Sequence, residues 1–248
     1  MKGERLKEVS PDLFISVAHA ISASGILSRR RAAAAIRAGR VSCGGVIVRD
    51  PFAAAENPAD LRIDGQPLPA AAPRVCFLLH KPRGYICSTV DRFSSKLAVD
   101  LLPELPGVRW FSAGRLDAAS EGMILFTNDG GLVHRLEDPK ERIPKEYRVE
   151  TAHPLSASAI AALRAGIPAD GENSPLRPEQ LDELAPRVYR FVLMDGKRHE
   201  IRRLVQAGGT TVRRLLRVRI GRLELGGLPS GNFRELTLAE VGLLTAGK

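Results

Sequence analysis

The sequence predicts an α+β protein built from two domains. Residues 11–65 combine two stretches of helical apolar spacing with a short hairpin, which is typical of a small mixed domain. Residues 66–74, QPLPAAAPR, contain three prolines and three alanines without periodicity and indicate a linker. Because strand and helix patterns resume at Val75, we expect residues 75–248 to form a second, larger domain.

The charge balance indicates the class of partner. The 248 residues carry 37 Lys plus Arg against 28 Asp plus Glu, a formal net charge of +9, and the pI is near 9.9. Such an excess favours a polyanion. The chain has no apolar run long enough to span a bilayer, and its start, MKGERLKEVS, lacks the apolar segment of a signal peptide. We therefore expect a cytoplasmic, monomeric protein that binds nucleic acid and no membrane.

Cysteine, histidine and glycine spacings exclude the common cofactor sites. Cys43, Cys76 and Cys87 form no C-x-x-C pair, and the five histidines do not cluster at metal-ligand spacings. No glycine-rich loop of the phosphate-binding or dinucleotide-binding type follows a strand. We expect reduced thiols, no metal and no cofactor.

The first helix of the smaller domain is predicted from apolar residues at helical spacing, and Gly25 ends it. These residues are Phe14, Val17, Ala18 and Ile21. The first ten residues of the chain are polar, and we expect them to form a frayed extension.

A second helix is predicted from Ser28, a good N-cap, to Gly39, a good terminator, with an alanine-rich interior. At 100° per residue, Ala32 and Ile36 fall on the packing side. The opposite side carries only positive charge, whereas a merely solvated face usually alternates sign. Phosphate binding and simple solvation both remain open, and we expect phosphate binding. The arginines expected to bind nucleic acid here are Arg29, Arg30, Arg31, Arg37 and Arg40.

A short hairpin follows, with Val41 and residues 46–48 flanking Gly44-Gly45, and residues 61–63 form a further strand pattern. Together these elements resemble the S4 RNA-binding domain. The matching residues are Ala23-Ser24-Gly25, Ser28-Arg29-Arg30, Ile36, Gly39-Arg40-Val41, Gly45, Val48 and Asp50-Pro51. The chain departs from that family at Ser16-Val17, where Arg-Leu is usual, and at Gly44, where Asn is usual. The first helix is therefore expected to contribute less charge to RNA binding.

The larger domain alternates strand and helix patterns. Its first strand, VCFLLHKP, ends in a turn that carries Lys81 and Arg83. Further strands are predicted at residues 123–126, 144–150, 187–194 and 213–220. Helices are predicted at residues 98–102, 132–136, 156–164 and 199–207, the second of them capped by Asn128 or Asp129.

Asp117 lies in a turn-forming segment, GRLD, directly before a buried strand. A carboxylate beside a cation such as Arg115 is held ionised and can act as a nucleophile or base. Aspartate in a glycine-containing turn is, however, more often a turn or cap residue. The residues alone leave both interpretations open.

Several motifs of the larger domain recur in the order of one family. They are LLHKPRGY, GRLDAASEGMILFTNDG, KEYRV, and GKRHEIRRL followed by LLRVRIG and FREL. With the S4-like module, they resemble the bacterial pseudouridine synthases that modify ribosomal RNA, in the subgroup of the small-subunit enzyme and its large-subunit relatives. The resemblance covers residues 16 to 242. It implies a mixed, largely antiparallel sheet with flanking helices, a cleft, no cofactor, and ribosomal RNA as partner.

The resemblance also implies the site residues. Asp117 takes the place of the catalytic aspartate, Tyr147 that of an active-site tyrosine, and Arg202 that of the basic residue paired with the aspartate. Leu215 corresponds to an active-site leucine, and Arg115 to an arginine that helps to displace the target base. Isomerisation of uridine needs side chains of these types: a carboxylate, a cation that pairs with it, and an aromatic ring against which the flipped base can pack. Lys81, Arg83, Arg203 and Arg217 complete the expected RNA-binding set.

Two alternatives remain, and the first comes from another class of protein. One is a non-catalytic S4-type RNA-binding or ribosome-assembly protein, which would not need Asp117, Tyr147 and Arg202 at their motif positions. The other is a synthase acting on transfer RNA, which the S4-like module and the GRLD form disfavour. For the enzyme, attack on the sugar carbon and formation of a glycal both use the same carboxylate.

Overall fold

The structure, a computed structural model, describes residues 15–88, 96–168 and 174–245. The outer ends of both predicted domains, residues 11–14 with Phe14 and residues 246–248, lie outside the described residues, as does the predicted N-terminal extension. The chain divides into two compact units. The N-terminal unit runs up to Pro73 and includes Leu105–Val108, and the C-terminal unit comprises Arg74–Glu104 and the chain from Arg109 onward.

The N-terminal unit packs two short helices against a four-stranded antiparallel sheet of order β2-β1-β3-β4. Its elements are α1 (Val17–Ala23), α2 (Arg29–Arg37), β1 (Val41–Cys43), β2 (Val46–Ile47), β3 (Leu61–Ile63) and β4 (Gln66–Pro67). Ser16 and Ser28 cap the helices, each accepting a hydrogen bond from a backbone N–H of the first turn. Ala32 and Ile36 are buried, so both predicted helices and the packing side of the second are confirmed.

Paired residues with positive φ close both hairpins of this sheet. Gly44 and Gly45 have φ of 56° and 84°, the backbone that a two-residue hairpin loop requires. Asp64 and Gly65 do the same between β3 and β4. The predicted linker is therefore wrong at Gln66 and Pro67, which form β4. Proline indicated a loop, yet β4 is an edge strand, where a missing N–H is tolerated.

The C-terminal unit is built on a nine-stranded sheet whose main order is β13-β5-β7-β11-β8-β10-β9, with β6 on β7 and β12 on β11. All pairs are antiparallel except β7 with β11, so the implied mixed, largely antiparallel sheet is confirmed. The strands are β5 (Cys76–Lys81), β6 (Phe111–Ala113), β7 (Glu121–Thr127), β8 (Lys145–Thr151), β9 (Gln180–Ala185), β10 (Val188–Leu193), β11 (Val212–Ile220), β12 (Leu223–Glu224) and β13 (Phe233–Glu235).

Four α-helices flank this sheet among the described residues. They are α3 (Gly130–Glu137), α4 (Ala157–Ala165), α5 (Glu200–Ala207) and α6 (Leu238–Thr245). Asp129 caps α3 by accepting from two backbone N–H groups, as predicted. One hydrophobic cluster joins α4 and α5 to β8, β10 and β11, and a second joins α3 and α6 to β5 and β7. The flanking helices thus bury apolar surface of the sheet.

Gly122, the second residue of β7, allows the close parallel pairing of β7 with β11. A Cβ atom at this position would lie 2.3 Å from the carbonyl oxygen of Arg217, and the φ of 106° is unfavourable for other residues. This contact fixes the start of β7. It therefore also fixes the loop that precedes β7, which carries Asp117.

Candidate active site

Asp117 lies in the loop of residues 114–120, between β6 and β7. Ser120 donates its backbone N–H to the carbonyl oxygen of Asp117 at 3.0 Å, so the residue does form a turn, as the commoner interpretation predicted. That turn uses only the backbone carbonyl. The side chain is 42% exposed and is directed at another element, so a structural role in the turn leaves the carboxylate available for chemistry.

Two basic side chains at the N-terminal end of α5 face the carboxylate of Asp117. His199 Nε2 lies 3.4 Å from Asp117 Oδ1, and Arg202 Nε lies 4.0 Å from Oδ2. The partial positive charge of a helix N-terminus favours an anion at this position as well. Arg202 also donates from Nη2 to Ala119 O at 3.3 Å and to Ser120 Oγ at 3.4 Å. One guanidinium therefore contacts both the carboxylate and the loop that carries it.

Arg115, the cation next to Asp117 in sequence, is not its partner in space. Its side chain is exposed, and the ion pairs of Asp117 within the described ranges come from His199 and Arg202. The hypothesis that Arg115 keeps the carboxylate charged is therefore wrong. Proximity in sequence misled because the fold brings His199 and Arg202, at the start of α5, to this carboxylate.

Arg217 is buried beneath the loop, with only 2% of its surface exposed. It donates from Nε to Met123 O at 2.7 Å and from Nη1 to Arg115 O at 3.5 Å. The prediction that Arg217 binds RNA is wrong, because its guanidinium supports the loop from inside. The strand pattern misled because it assigned the buried side to Leu216 and Val218, whereas the alternation of β11 buries Arg217 with Leu215.

Lys81 is the second predicted RNA-binding cation that lies inside the protein. It is fully buried and donates from Nζ to Pro82 O at 3.0 Å and to Tyr85 O at 2.7 Å, and burial lowers its pKa. The prediction for Lys81 is therefore wrong too. Its ammonium group stabilises the turn of residues 82–85. In this turn, the backbone N–H of Gly84 donates to Ala118 O at 2.7 Å. Arg83, on the same turn, is exposed and remains available to RNA.

Two side chains that the sequence did not single out hold the start of the loop. The Cys87 thiol accepts a hydrogen bond from the N–H of Leu116 and donates to its carbonyl oxygen, both at 3.3 Å. Burial raises the pKa of this thiol. Glu137 Oε1 accepts from the N–H of Gly114 at 2.9 Å. Both contacts join residues distant in sequence, so no local motif could have indicated them.

Tyr147 and Leu215 lie on the sheet beside the loop. They are 7% and 6% exposed and belong to the hydrophobic cluster that also contains Leu116. In the β8–β11 pairing, Tyr147 is opposite Arg217, and Leu215 is opposite Val149. The structure therefore places both predicted residues on the buried face of the sheet, in the cluster that extends to the residue preceding Asp117.

His199 is the functional candidate that the sequence interpretation missed. It was predicted only as the start of a helix, and it lies at the N-cap of α5 with φ of 53°. The sequence signal for a functional histidine was its position directly before a helix that contains arginines. Its contact with Asp117 could not be predicted, because the two residues meet only in the folded chain. Arg203, the next predicted RNA-binding residue on α5, is partly exposed.

The N-terminal unit presents a basic surface, which we name the α2 arginine face and define as Arg29, Arg30, Arg31 and Arg37. All four side chains are exposed, and Arg29 Nη2 lies 2.7 Å from His19 Nδ1. Arg40, predicted with them, donates from Nε to Asp64 Oδ1 at 2.8 Å, and this hydrogen bond lowers the pKa of Asp64. The charge of Arg40 is thus balanced locally, whereas the arginines of the α2 arginine face form no ion pair with an acid of the described residues.

The described ranges contain no group of three or more His, Cys, Asp or Glu side chains that could hold a metal ion. In the same part of the chain, every helix is too short or too polar to cross a membrane.

Comparison with known proteins identifies similar sequences over most of the chain. A family described as RNA pseudouridylate synthase matches residues 75–207. Ribosomal small subunit pseudouridine synthase A of Yersinia pestis is 34% identical over 221 residues, which cover 89% of this chain and 94% of that protein. Ribosomal large subunit pseudouridine synthase B of Vibrio cholerae is 35% identical over 233 residues, covering 90% and 72%. A crystal structure of a pseudouridylate synthase aligns with a TM-score of 0.68 at 29% identity, covering 93% and 99%.

Proposed function

The chain belongs to the RNA pseudouridylate synthase family, and we propose that it isomerises one uridine of ribosomal RNA to pseudouridine with Asp117 as its catalytic residue. The observation that carries the proposal is the environment of this carboxylate. Asp117 is accessible, faces His199 and Arg202 at the start of α5, and is carried by a loop that buried side chains hold in place. A protein that only binds RNA does not need an aspartate held in this way.

The atom balance of the reaction defines what the site must supply. The bond between uracil N1 and the sugar C1′ breaks, a bond between C1′ and uracil C5 forms, the C5 proton leaves and N1 gains a proton. No co-reactant is needed. Asp117 acts either by attacking C1′ or by accepting a proton from the sugar, and both routes need an ionised carboxylate. Arg202 stabilises that charge, and the ring of Tyr147 offers an apolar face to the displaced base.

Ribosomal RNA is proposed as substrate from two lines of support. The relatives from Yersinia pestis and Vibrio cholerae are named for the small and the large ribosomal subunit. The excess of cations fits a nucleic acid partner, and the α2 arginine face offers exposed positive charge in a unit that resembles the S4 RNA-binding domain. The N-terminal unit is then the anchor on RNA, and the C-terminal unit carries the chemistry.

The direct test is a map of pseudouridines in ribosomal RNA from cells with and without the gene. We expect one uridine to remain unmodified in the deletion strain, and the modification to return when the wild-type gene is restored. A gene encoding Asp117→Asn should not restore it. Identical maps in the presence and absence of the gene would contradict the proposed substrate.

The proposed anchor can be tested through its salt dependence. If the three arginines Arg30, Arg31 and Arg37 neutralise phosphates, replacing all three by Gln should weaken RNA binding. The slope of log affinity against log salt should fall by about two to three units, at about 0.7 to 0.9 per phosphate. Turnover at saturating RNA should change much less than affinity, because Asp117 lies in the other unit.

A matched control removes the same formal charge from arginines that are paired with acids. Arg164 and Arg190 pair with Asp182, and Arg234 pairs with Glu240. Replacing these three by Gln should leave the salt slope close to that of the wild type. An unchanged slope in the Arg30, Arg31 and Arg37 variant would mean that this face only solvates its helix.

A further inference from the structure

His199 has a backbone conformation that histidine does not favour. Its φ of 53° and ψ of 26° lie in the left-handed region, which costs a residue with a Cβ about 1–2 kcal/mol. The N-caps of α1, α2, α3 and α4 are instead extended, and each has a Ser or Asp side chain that accepts from the helix backbone. The His199 side chain makes no capping hydrogen bond to α5. The strain therefore does not serve the helix.

Neighbouring groups hold His199 in this conformation. Glu200 is 6% exposed, its Oε2 accepts from the N–H of Lys197 at 3.1 Å, and its own N–H donates to Lys197 O at 3.2 Å. The carbonyl oxygen of His199 accepts from Arg203 N at 2.9 Å, which starts α5. These contacts close the turn of residues 197–200, and the imidazole is directed at Asp117.

From this geometry we infer that His199 is a positioning residue for the carboxylate of Asp117, an inference that rests on the proposed function. His199 Nε2 and Arg202 Nε approach different oxygens of the same carboxylate, at 3.4 Å and 4.0 Å. A single neighbour leaves a carboxylate free to rotate about its terminal torsion, whereas two basic side chains near different oxygens favour one orientation of its plane. The role requires a proton on Nε2, so that the imidazole donates and Oδ1 accepts.

Three substitutions separate this role from a purely structural one. His199→Ala keeps the unfavourable backbone and loses the donor, so kcat should fall about tenfold to a hundredfold while KM for RNA stays within a few-fold. His199→Gly loses the donor but relieves the backbone, so the thermal midpoint should rise by about 2–4 °C while kcat falls as in the Ala variant. His199→Gln retains an N–H donor of similar reach and should recover part of kcat. A variant that is more stable and less active is the signature of positioning.

The measurement is release of tritium from unmodified transcripts of small-subunit and large-subunit ribosomal RNA labelled at uridine C5, since isomerisation expels that hydrogen. The full chain is used throughout. His153→Ala changes an exposed histidine of the same unit and should leave kcat within about twofold of the wild type. Wild-type protein that releases no tritium from either transcript contradicts the proposed function itself.

Other outcomes concern His199 alone. If the wild type is active and Asp117→Asn is inactive, but the Ala and Gly variants of His199 keep full kcat, the inference is overturned while the proposed function stands. A loss of kcat in the Ala variant that Gln does not recover at all overturns the donor role. A gain of stability in the Gly variant together with full activity means that the left-handed histidine is incidental.

Discussion

Asp117→Asn is expected to lower turnover by at least about a thousandfold, because it removes the only group proposed to act on the sugar while preserving the size of the side chain. The amide keeps an oxygen that His199 or Arg202 can approach, and the backbone contacts of the loop do not involve the carboxylate. RNA affinity should therefore stay within a few-fold of the wild type. Tritium release under single-turnover conditions and filter binding measure the two quantities separately.

The stability of Asp117→Asn should be nearly that of the wild type. The side chain is 42% exposed in the free chain, and ion pairs of such exposure contribute at most about 1 kcal/mol to folding because water screens them. The same charges act more strongly once bound RNA excludes water from the site. A large loss of turnover without a loss of thermal stability therefore indicates a role in chemistry.

A matched control makes the same chemical change elsewhere in the C-terminal unit. Asp182 is an accessible carboxylate that pairs with Arg164 and Arg190. Asp182→Asn should leave turnover within about twofold of the wild type. Turnover near wild type in Asp117→Asn, or an equal loss in both variants, would contradict the assignment of Asp117.

Elements with strong local signals could be predicted from the sequence. Ser28, the alanine run and Gly39 determine α2 through capping and helix propensity, and Gly44-Gly45 determines its hairpin, because each signal acts within a few residues. β9 was not predicted, since only Leu181 of its six residues is buried and its place at the sheet edge depends on pairing with β10. Edge strands have weak hydrophobic patterns because they bury few side chains.

The site could be predicted in part. The motifs identified Asp117 and Arg202, and the fold brings them together. The sequence could not distinguish a cation that meets RNA from one that supports the loop, since Lys81 and Arg217 lie in basic segments yet are buried. Burial of these side chains depends on which strands become neighbours. The contact of His199 with Asp117 could not be predicted either, because it also depends on which elements become neighbours in the fold.

Arg202→Met should lower turnover at saturating RNA by about a hundredfold to a thousandfold, which is typical for removal of one preorganised electrostatic group. Three contacts are lost: the approach to Asp117 Oδ2 at 4.0 Å, and the hydrogen bonds to Ala119 O and Ser120 Oγ. Thermal stability should change by less than about 1 kcal/mol, since the pair is 29% and 42% exposed. The penalty arises when RNA covers an Asp117 carboxylate that no longer has its cation.

Two variants separate these contributions. Ser120→Ala removes one hydrogen bond of Arg202 to the loop and should cost much less turnover than Arg202→Met. Arg202→Lys keeps the charge without the planar fork and should recover only part of the loss.

Arg203→Met makes the same change on the next residue of α5. Because Arg203 is proposed to bind RNA, its loss should weaken affinity more than turnover. Kinetics at saturating and limiting RNA distinguish the two effects. Equal, mild losses of turnover in Arg202→Met and Arg203→Met would mean that Arg202 and Asp117 form only a surface charge cluster, and that another cation balances the catalytic carboxylate.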